Sequence, residues 1–227
     1  MNQTSLNLVA ITIFGLVMTS LLGPLLNISP AIPAIAIFGI LGIATLDSFN
    51  WQGRGGTLLL DWLASFSAEH RARVIRHEAG HFLVAQLLDI PVTGYTLTAW
   101  EALREGHPGV GGVQFATEEL ESELATGRLS GQLVDRYCTV WMAGIAAEQL
   151  AYSNAEGGSD DRQKMRLLWT QLKRSPSEGE IKERWALLQA KSMIQTHQAA
   201  YDALVSKLEQ RAPVDECQQA IAAQSAA

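Results

Sequence analysis

The residues with the clearest potential for chemistry are His77, Glu78 and His81, within the stretch VIRHEAGHFLVAQLL at 74–88. On a helix, residues four apart lie on one face, so His77 and His81 could bind one metal ion together. Imidazole is a common zinc ligand, and Glu78 could take a proton from a water at the ion. This HExxH spacing predicts a zinc hydrolase centre. The alternative is an amphipathic helix whose histidines fall at this spacing by coincidence.

A catalytic zinc ion normally has three protein ligands and one open position, so a third ligand is needed. Asp161 is our candidate, because it begins a helix after the glycine-containing loop NAEGGS at 154–159. The alternative is that Asp160 and Asp161 only stabilise the positive end of that helix dipole. Glu148 could orient a ligand histidine, or it could be a plain surface carboxylate.

These residues must be positioned by a mainly helical domain. The apolar pattern predicts helices at 67–88, 130–153, 160 onward and 177–211. Gly80 lies inside the first of these and lowers its propensity by roughly 1 kcal/mol relative to alanine, so it needs a packing or site reason, of which the close approach of another backbone beside the metal would be one. Segments 92–98 and 110–115 predict two short strands. The second strand could offer an open edge to an extended peptide.

The N-terminal part is different in kind, because residues 2–46 contain no Lys, Arg, Asp or Glu. The apolar run at 6–26 is long enough to cross a hydrocarbon core of about 30 Å as a helix. A second run at 31–46 is shorter, but Ile28, Phe49 and Trp51 can extend it. The sequence therefore predicts a two-helix transmembrane hairpin with both of its ends on the same side.

Two alternatives to the hairpin are weaker. A cleaved signal peptide would need a basic start and a single shorter apolar segment, and neither is present. A buried hairpin of a soluble core would need apolar partners that the later sequence does not offer. The first cations after the hairpin are Arg54, Arg71, Arg73 and Arg76. The positive-inside rule therefore places the rest of the chain on the cytoplasmic side, or on the stromal or matrix equivalent. The expected divisions are a hairpin at 1–50, a linker at 51–66 and a helical domain at 67–227.

Composition disfavours a nucleic-acid partner and a disulfide. The 227 residues include 17 Lys and Arg against 23 Asp and Glu, which disfavours nucleic acid as a partner. Cys138 and Cys217 lie far apart without a metal-ligand spacing such as CxxC, which favours reduced thiols over a disulfide. The length allows one ordinary domain and a smaller part.

Three blocks of the sequence, in order, resemble the peptidase domain of FtsH-type membrane-bound AAA zinc proteases. HEAGHFLVAQLL at 77–88 resembles the zinc-binding signature, MAGIAAEQLAY at 142–152 the Gly-x-Ala-Ala-Glu-Glu helix, and GGSDDRQKM at 157–165 the segment with the aspartate ligand. The likeness covers roughly residues 71–221. It implies Zn²⁺ held by His77, His81 and Asp161, with Glu78 as the base and Asp160 as a non-ligand neighbour.

The chain also departs from that family. The family has an ATPase module between its membrane segments and its peptidase domain, whereas no GxxxxGK[ST] loop occurs in this sequence. GRGG at 53–56 lacks the lysine and predicts only a flexible linker. Gln149 replaces the second glutamate of the helix motif and Arg162 replaces a usual apolar residue, but every predicted ligand is retained.

The expected function is a membrane-anchored zinc metalloendopeptidase that cuts unfolded or flexible proteins and does not itself use ATP. Its partners would be such substrates or membrane proteins, the lipid bilayer, and either further copies of itself or an AAA ATPase. A non-catalytic membrane adaptor of FtsH-type complexes is the alternative, although it would have no need of Glu78. An intramembrane protease is disfavoured, because the motif lies among arginines rather than inside an apolar span.

Overall fold

The computed structural model describes residues 3–50, 54–106, 111–127 and 129–225, which are mainly helical. In chain order the elements are α1 (Gln3–Leu22), a 3-10 helix (Gly23–Leu26), α2 (Ala31–Asn50), α3 (Arg54–Ala64), α4 (Ala68–Leu87), β1 (Val92–Thr96), α5 (Ala99–Arg104), β2 (Gly112–Phe115), α6 (Glu118–Thr126), α7 (Gly131–Tyr152), α8 (Ser159–Gln171), α9 (Pro176–Thr196), α10 (Gln198–Glu209) and α11 (Val214–Ser225). The prediction of a mainly helical chain with a small β element is confirmed.

The chain divides into two compact units, of which the first comprises Met1–Ser67 and Thr98–Val110. It contains α1, α2, α3 and α5, and α1 contacts α2. Among the described residues, one helical stretch, Val9–Leu26, is long and apolar enough to cross a membrane. The apolar stretch of α2, Ala31–Asp47, is shorter. The second predicted span therefore stays a prediction.

The segment at 51–66, expected to be a linker, is helical from Arg54 to Ala64. The carboxylate of Asp47 accepts hydrogen bonds from the backbone N–H groups of Gly55 and Gly56 at 2.8 and 2.9 Å. These amides belong to the first turn of α3 and have no partner within the helix, so Asp47 acts as a cap from the preceding helix. Residues 51–53 lie outside the described part of the chain.

The second unit comprises Ala68–Leu97 and Gly111–Ala227 and has α7 at its centre. Ser130 begins α7, where its hydroxyl accepts a hydrogen bond from the Leu133 N–H at 3.1 Å. α4 and α9 pack on α7, and α10 packs on both α4 and α11. A Cβ built at Gly80 would lie 2.5 Å from the Ala143 carbonyl oxygen. Close approach of another backbone, one of the reasons considered for Gly80, is therefore what the structure shows.

β1 and β2 form an antiparallel pair that contacts α4. Tyr95 pairs with Val113 and Thr96 with Gly112, and the register is irregular between Val92 and Gly94. Val110, where the second strand was predicted to begin, lies outside the described residues. The sheet therefore sits beside the helix that carries the HExxH residues.

The single final helix predicted at 177–211 is wrong, because α9 and α10 are separate helices that meet at His197. His197 has φ −112° and ψ 37°, outside the helical region. Its ring Nδ1 and its backbone N–H both bond to the Met193 carbonyl oxygen, at 2.9 and 3.1 Å. The backbone leaves the helical region at this residue, although the apolar pattern continues through it.

Candidate metal centre

Two helices bring the three predicted ligands together. His77 and His81 lie one turn apart on α4, and Asp161 lies in the first turn of α8. His77 Nε2 is 3.2 Å from Asp161 Oδ2, His81 Nε2 is 3.3 Å from the same oxygen, and the two Nε2 atoms are 3.0 Å apart. The three side chains are buried, and the group could hold a metal ion.

The hydrogen bonds behind the two histidines determine which nitrogens face this group. His77 Nδ1 lies 2.7 Å from Glu148 Oε1, and His81 Nδ1 lies 2.7 Å from the Val140 carbonyl oxygen. A carboxylate and a carbonyl can only accept, so both Nδ1 atoms donate. A neutral imidazole then leaves its Nε2 as an acceptor. Two such nitrogens and the Asp161 carboxylate converge, and three acceptors at this distance need a cation between them.

Glu148 is a fully buried carboxylate of α7, with 1% of its surface exposed. Its Oε1 accepts from His77 and from the Gly157 N–H at 3.1 Å, and its Oε2 accepts from Arg73 at 3.2 Å and from the Glu156 N–H at 2.9 Å. Burial raises the pKa of Glu148, but the hydrogen bonds from His77, Glu156 and Arg73 outweigh it and lower the pKa to about 2. Glu148 is therefore ionised and orients His77, rather than lying at the surface.

In the metal-free protein, the side chains around His77 favour its protonated form. Burial lowers the pKa of His77, but hydrogen bonds with Asp161 and Glu148 and the charge of Glu78 raise it to about 10. Burial raises the pKa of Asp161, whereas the charge of His81 and hydrogen bonds with both histidines hold it well below its ordinary value. The group therefore favours a positive charge at its centre, which a metal ion would supply in place of the proton.

Two glycines, Gly144 and Gly157, have no Cβ atom in space that the side chains of the site occupy. A Cβ built at Gly144 of α7 would lie 2.3 Å from His77 Nε2 and 2.5 Å from His81 Nε2. A Cβ at Gly157 would lie 2.7 Å from Glu148 Oε1 and 3.1 Å from His77 Nδ1. Sequence reasoning assigned neither glycine a role. The available signal was their place in the two blocks that resemble the protease family.

Glu78 is not a member of the ligand group and lies on the side of α4 that meets β2. Its Oε2 accepts a hydrogen bond from the Val113 N–H at 2.9 Å. A Cβ built at Gly112 would lie 3.4 Å from the same oxygen. Glu78 is half-buried, and its charge is near enough to contribute to the raised pKa of His77. A carboxylate in this position can exchange a proton close to the metal centre.

Other residues near the centre have different roles. Asp160 is exposed, accepts a hydrogen bond from the Ser159 hydroxyl at 3.2 Å and lies outside the ligand group. Arg162 donates to Glu183 at 2.8 Å and so joins α8 to α9. Sequence reasoning missed Arg73, which is buried beside Glu148. Its spacing of four residues before His77 was the signal that it shares the ligand face.

A scan against protein-family models finds no match for this chain, and a search of curated proteins finds none either. The resemblance to FtsH-type peptidases therefore rests on the quoted sequence blocks alone.

Proposed function

We propose that this protein is a membrane-anchored zinc metalloendopeptidase that acts on unfolded or flexible segments without using ATP itself. The observation that carries the proposal is the buried group of His77, His81 and Asp161, with the carboxylate of Glu78 beside it. Two imidazoles, one carboxylate and a neighbouring base are the parts of an HExxH hydrolase centre.

The donor set fits zinc in both chemistry and size. Zinc in a tetrahedral site binds nitrogen and carboxylate oxygen at about 2.0–2.1 Å, which separates the ligand atoms by roughly 3.3 Å. The three edges of the ligand group measure 3.0, 3.2 and 3.3 Å. Three protein ligands would also leave the open position that distinguishes catalytic zinc from structural zinc.

Each residue around the ion would then have its own role in peptide hydrolysis. Zinc, when bound, supplies a Lewis acid that polarises the scissile carbonyl and makes water more acidic. Glu78 would accept the proton of the attacking water and later give it to the leaving amine. Glu148 and the Val140 carbonyl would keep the Nε2 atoms of His77 and His81 directed at the ion.

Glu78 is the residue on which this proposal is tested. Glu78→Gln removes the base but no ligand, so cleavage of labelled unfolded casein should fall by about 10²–10⁴-fold while zinc content stays unchanged. The matched control is Glu69→Gln, an exposed carboxylate on the same helix, which should retain the wild-type rate. Wild-type turnover by the Glu78→Gln protein would end the assignment of a base.

The second candidate is a non-catalytic membrane adaptor, which would keep the fold but not the chemistry. The ligand group with Glu78 beside it disfavours this role, since an adaptor needs no base. Metal analysis of the purified protein alongside the casein assay separates the two candidates. Bound zinc with no cleavage of unfolded protein would favour the adaptor.

We also propose that α1 and α2 both cross the membrane and that the second unit faces the cytoplasm or its stromal or matrix equivalent. The long apolar stretch of α1 and the cations that follow α2 support this topology. Both native cysteines are buried, so cysteines introduced at the exposed positions Ser29 and Leu188 can be labelled selectively. In sealed vesicles, an impermeant maleimide should reach the cysteine at position 29 from one side of the membrane and the cysteine at position 188 from the other. Labelling from the same side would contradict a second span.

A further inference from the structure

Arg73 occupies an unusual place for an arginine, because it is buried one turn before His77 on the same face of α4. Its exposed fraction is 8%, equal to that of His77. Arginine is almost never fully buried unless its charge is paired. Its partners therefore indicate why it is there.

All of these partners belong to the end of α7 or to the loop that follows it. Nη1 donates to Glu148 Oε2 and to Asn154 Oδ1, each at 3.2 Å, and Nη2 lies 3.6 Å from Glu156 Oε1. The guanidinium also lies over the Tyr152 ring, 4.2 Å from its centroid. The planar guanidinium suits this arrangement, because it can bond in its plane and stack on an aromatic face at once.

The loop held in this way leads directly to Asp161. It runs from the end of α7 at Tyr152 to the start of α8 at Ser159. The backbone N–H groups of Glu156 and Gly157 donate to the same Glu148 carboxylate that Arg73 binds. One buried ion pair therefore contacts both His77 and the segment that presents the third ligand.

We propose that Arg73 is a positioning residue of the metal centre, which sets metal affinity by holding Glu148 against His77 and by fixing the loop that presents Asp161. The inference rests on the proposed zinc centre but not on peptidase activity. Without the guanidinium, Glu148 would lose one of its two side-chain donors and the loop would lose its anchor at Asn154. The three ligand atoms would then be less well ordered before the ion arrives.

Zinc affinity of the full-length protein, measured by chelator competition, tests this inference. Arg73→Met should weaken zinc binding by about 10–100-fold, the usual effect of losing an outer partner of a metal ligand. Arg73→Lys, which keeps the charge but not the planar fork, should fall between Arg73→Met and wild type. Arg184→Met is the matched control, because Arg184 is exposed on α9, and it should bind zinc within about twofold of wild type. Wild-type affinity in Arg73→Met would overturn the inference.

Two further variants separate positioning from a general loss of structure. Asn154→Ala changes an exposed loop position, so it should fold normally and weaken zinc binding by roughly threefold, as expected for one hydrogen bond. In a double-mutant cycle, Arg73→Met should have a much smaller effect on zinc affinity when Glu148 is already glutamine. Fully additive effects would contradict action through Glu148. The absorption spectrum of Co²⁺ bound in place of zinc should also change in Arg73→Met and stay unchanged in Arg184→Met.

The outcomes distinguish this inference from the proposed function. Zinc binding without cleavage would contradict the peptidase and leave Arg73 testable through affinity. Unchanged affinity in Arg73→Met, with cleavage that still depends on Glu78, would contradict only the role of Arg73. A wild-type chain that binds no zinc would overturn both.

Discussion

The backbone N–H of Val113 donates a hydrogen bond to Glu78 Oε2 over 2.9 Å, so the strand beside the metal centre holds the proposed base. β2 pairs with β1 in a sheet of two strands among the described residues, which leaves its other edge without a strand partner. The contact therefore joins the proposed base to β2.

The first prediction concerns the backbone that supports this contact. Gly112 has φ +132°, a conformation that L side chains rarely adopt, and its Cβ would lie 3.4 Å from Glu78 Oε2. Gly112→Ala should lower the free energy of unfolding by about 1 kcal/mol and casein turnover by about tenfold or more, because the strand moves relative to Glu78. Gly127→Ala is the control, since φ is +65° there and nothing lies within 4 Å of the added Cβ. It should lose stability only, and an equal loss of turnover in both would contradict the prediction.

The second prediction is that Gly144→Ala abolishes metal binding. The added methyl would lie 2.3 Å from His77 Nε2, so the two histidines cannot keep their positions. Zinc content after dialysis should fall from about one ion per chain to near zero. Gly131→Ala changes an exposed glycine at the start of the same helix, where nothing lies within 4 Å, and should bind zinc normally. Stoichiometric zinc in Gly144→Ala would contradict the close packing of His77 against Gly144.

The third prediction links metal binding to protons. The pKa of His77 is raised to about 10 in the metal-free protein, so the ring is protonated at pH 7.5 and must lose its proton when the ion binds. Calorimetry in buffers of different ionisation enthalpy should show release of about one proton per zinc. His197→Gln, which alters a histidine of the α9–α10 break, should leave that number unchanged. Heats that do not depend on the buffer would contradict the prediction.

The raised pKa of His77 also makes the stability of the metal-free protein depend on pH. A raised folded-state pKa stabilises the fold fully below the ordinary value of 6.5, and that contribution is lost as the pH rises through about 10. The thermal midpoint of the metal-free chain should therefore fall between pH 7 and pH 10. This decrease should be absent in the zinc-bound protein, because the ion then replaces the proton.

The fourth prediction concerns the two thiols. Burial raises the pKa of Cys138 to about 12 and that of Cys217 to about 11, so both are protonated and shielded at pH 8. A thiol reagent should label neither in the native protein and both after denaturation without reductant. An introduced cysteine at Leu188, which is 64% exposed, should react at once in the native protein. Two unreactive cysteines in the denatured chain would indicate a disulfide.

Local patterns were sufficient to predict several elements. The spacing of four residues places His77 and His81 on one face of any helix. The ligand group is then completed when the first turn of α8 brings Asp161 to the same place. Ser130 begins α7 through its own hydroxyl, which is a local interaction and visible in the sequence. The break at His197 was not predictable from apolar spacing, because the apolar pattern continues through it and only the backbone dihedrals of that residue show it.

By itself, the sequence determined the mainly helical class, the apolar N-terminal helix and the histidine pair, since each follows from spacing or composition along the chain, whereas the choice of Asp161 over Asp160 came from the resemblance to the protease family. Only the tertiary structure decided that Glu148 is a buried partner of His77, that Arg73 pairs with Glu148 and that Gly144 must be small. Those properties arise where α4, α7 and the loop before α8 meet, between residues more than 60 positions apart. Burial and hydrogen bonding at such a meeting depend on the packing of whole helices, which no local pattern specifies.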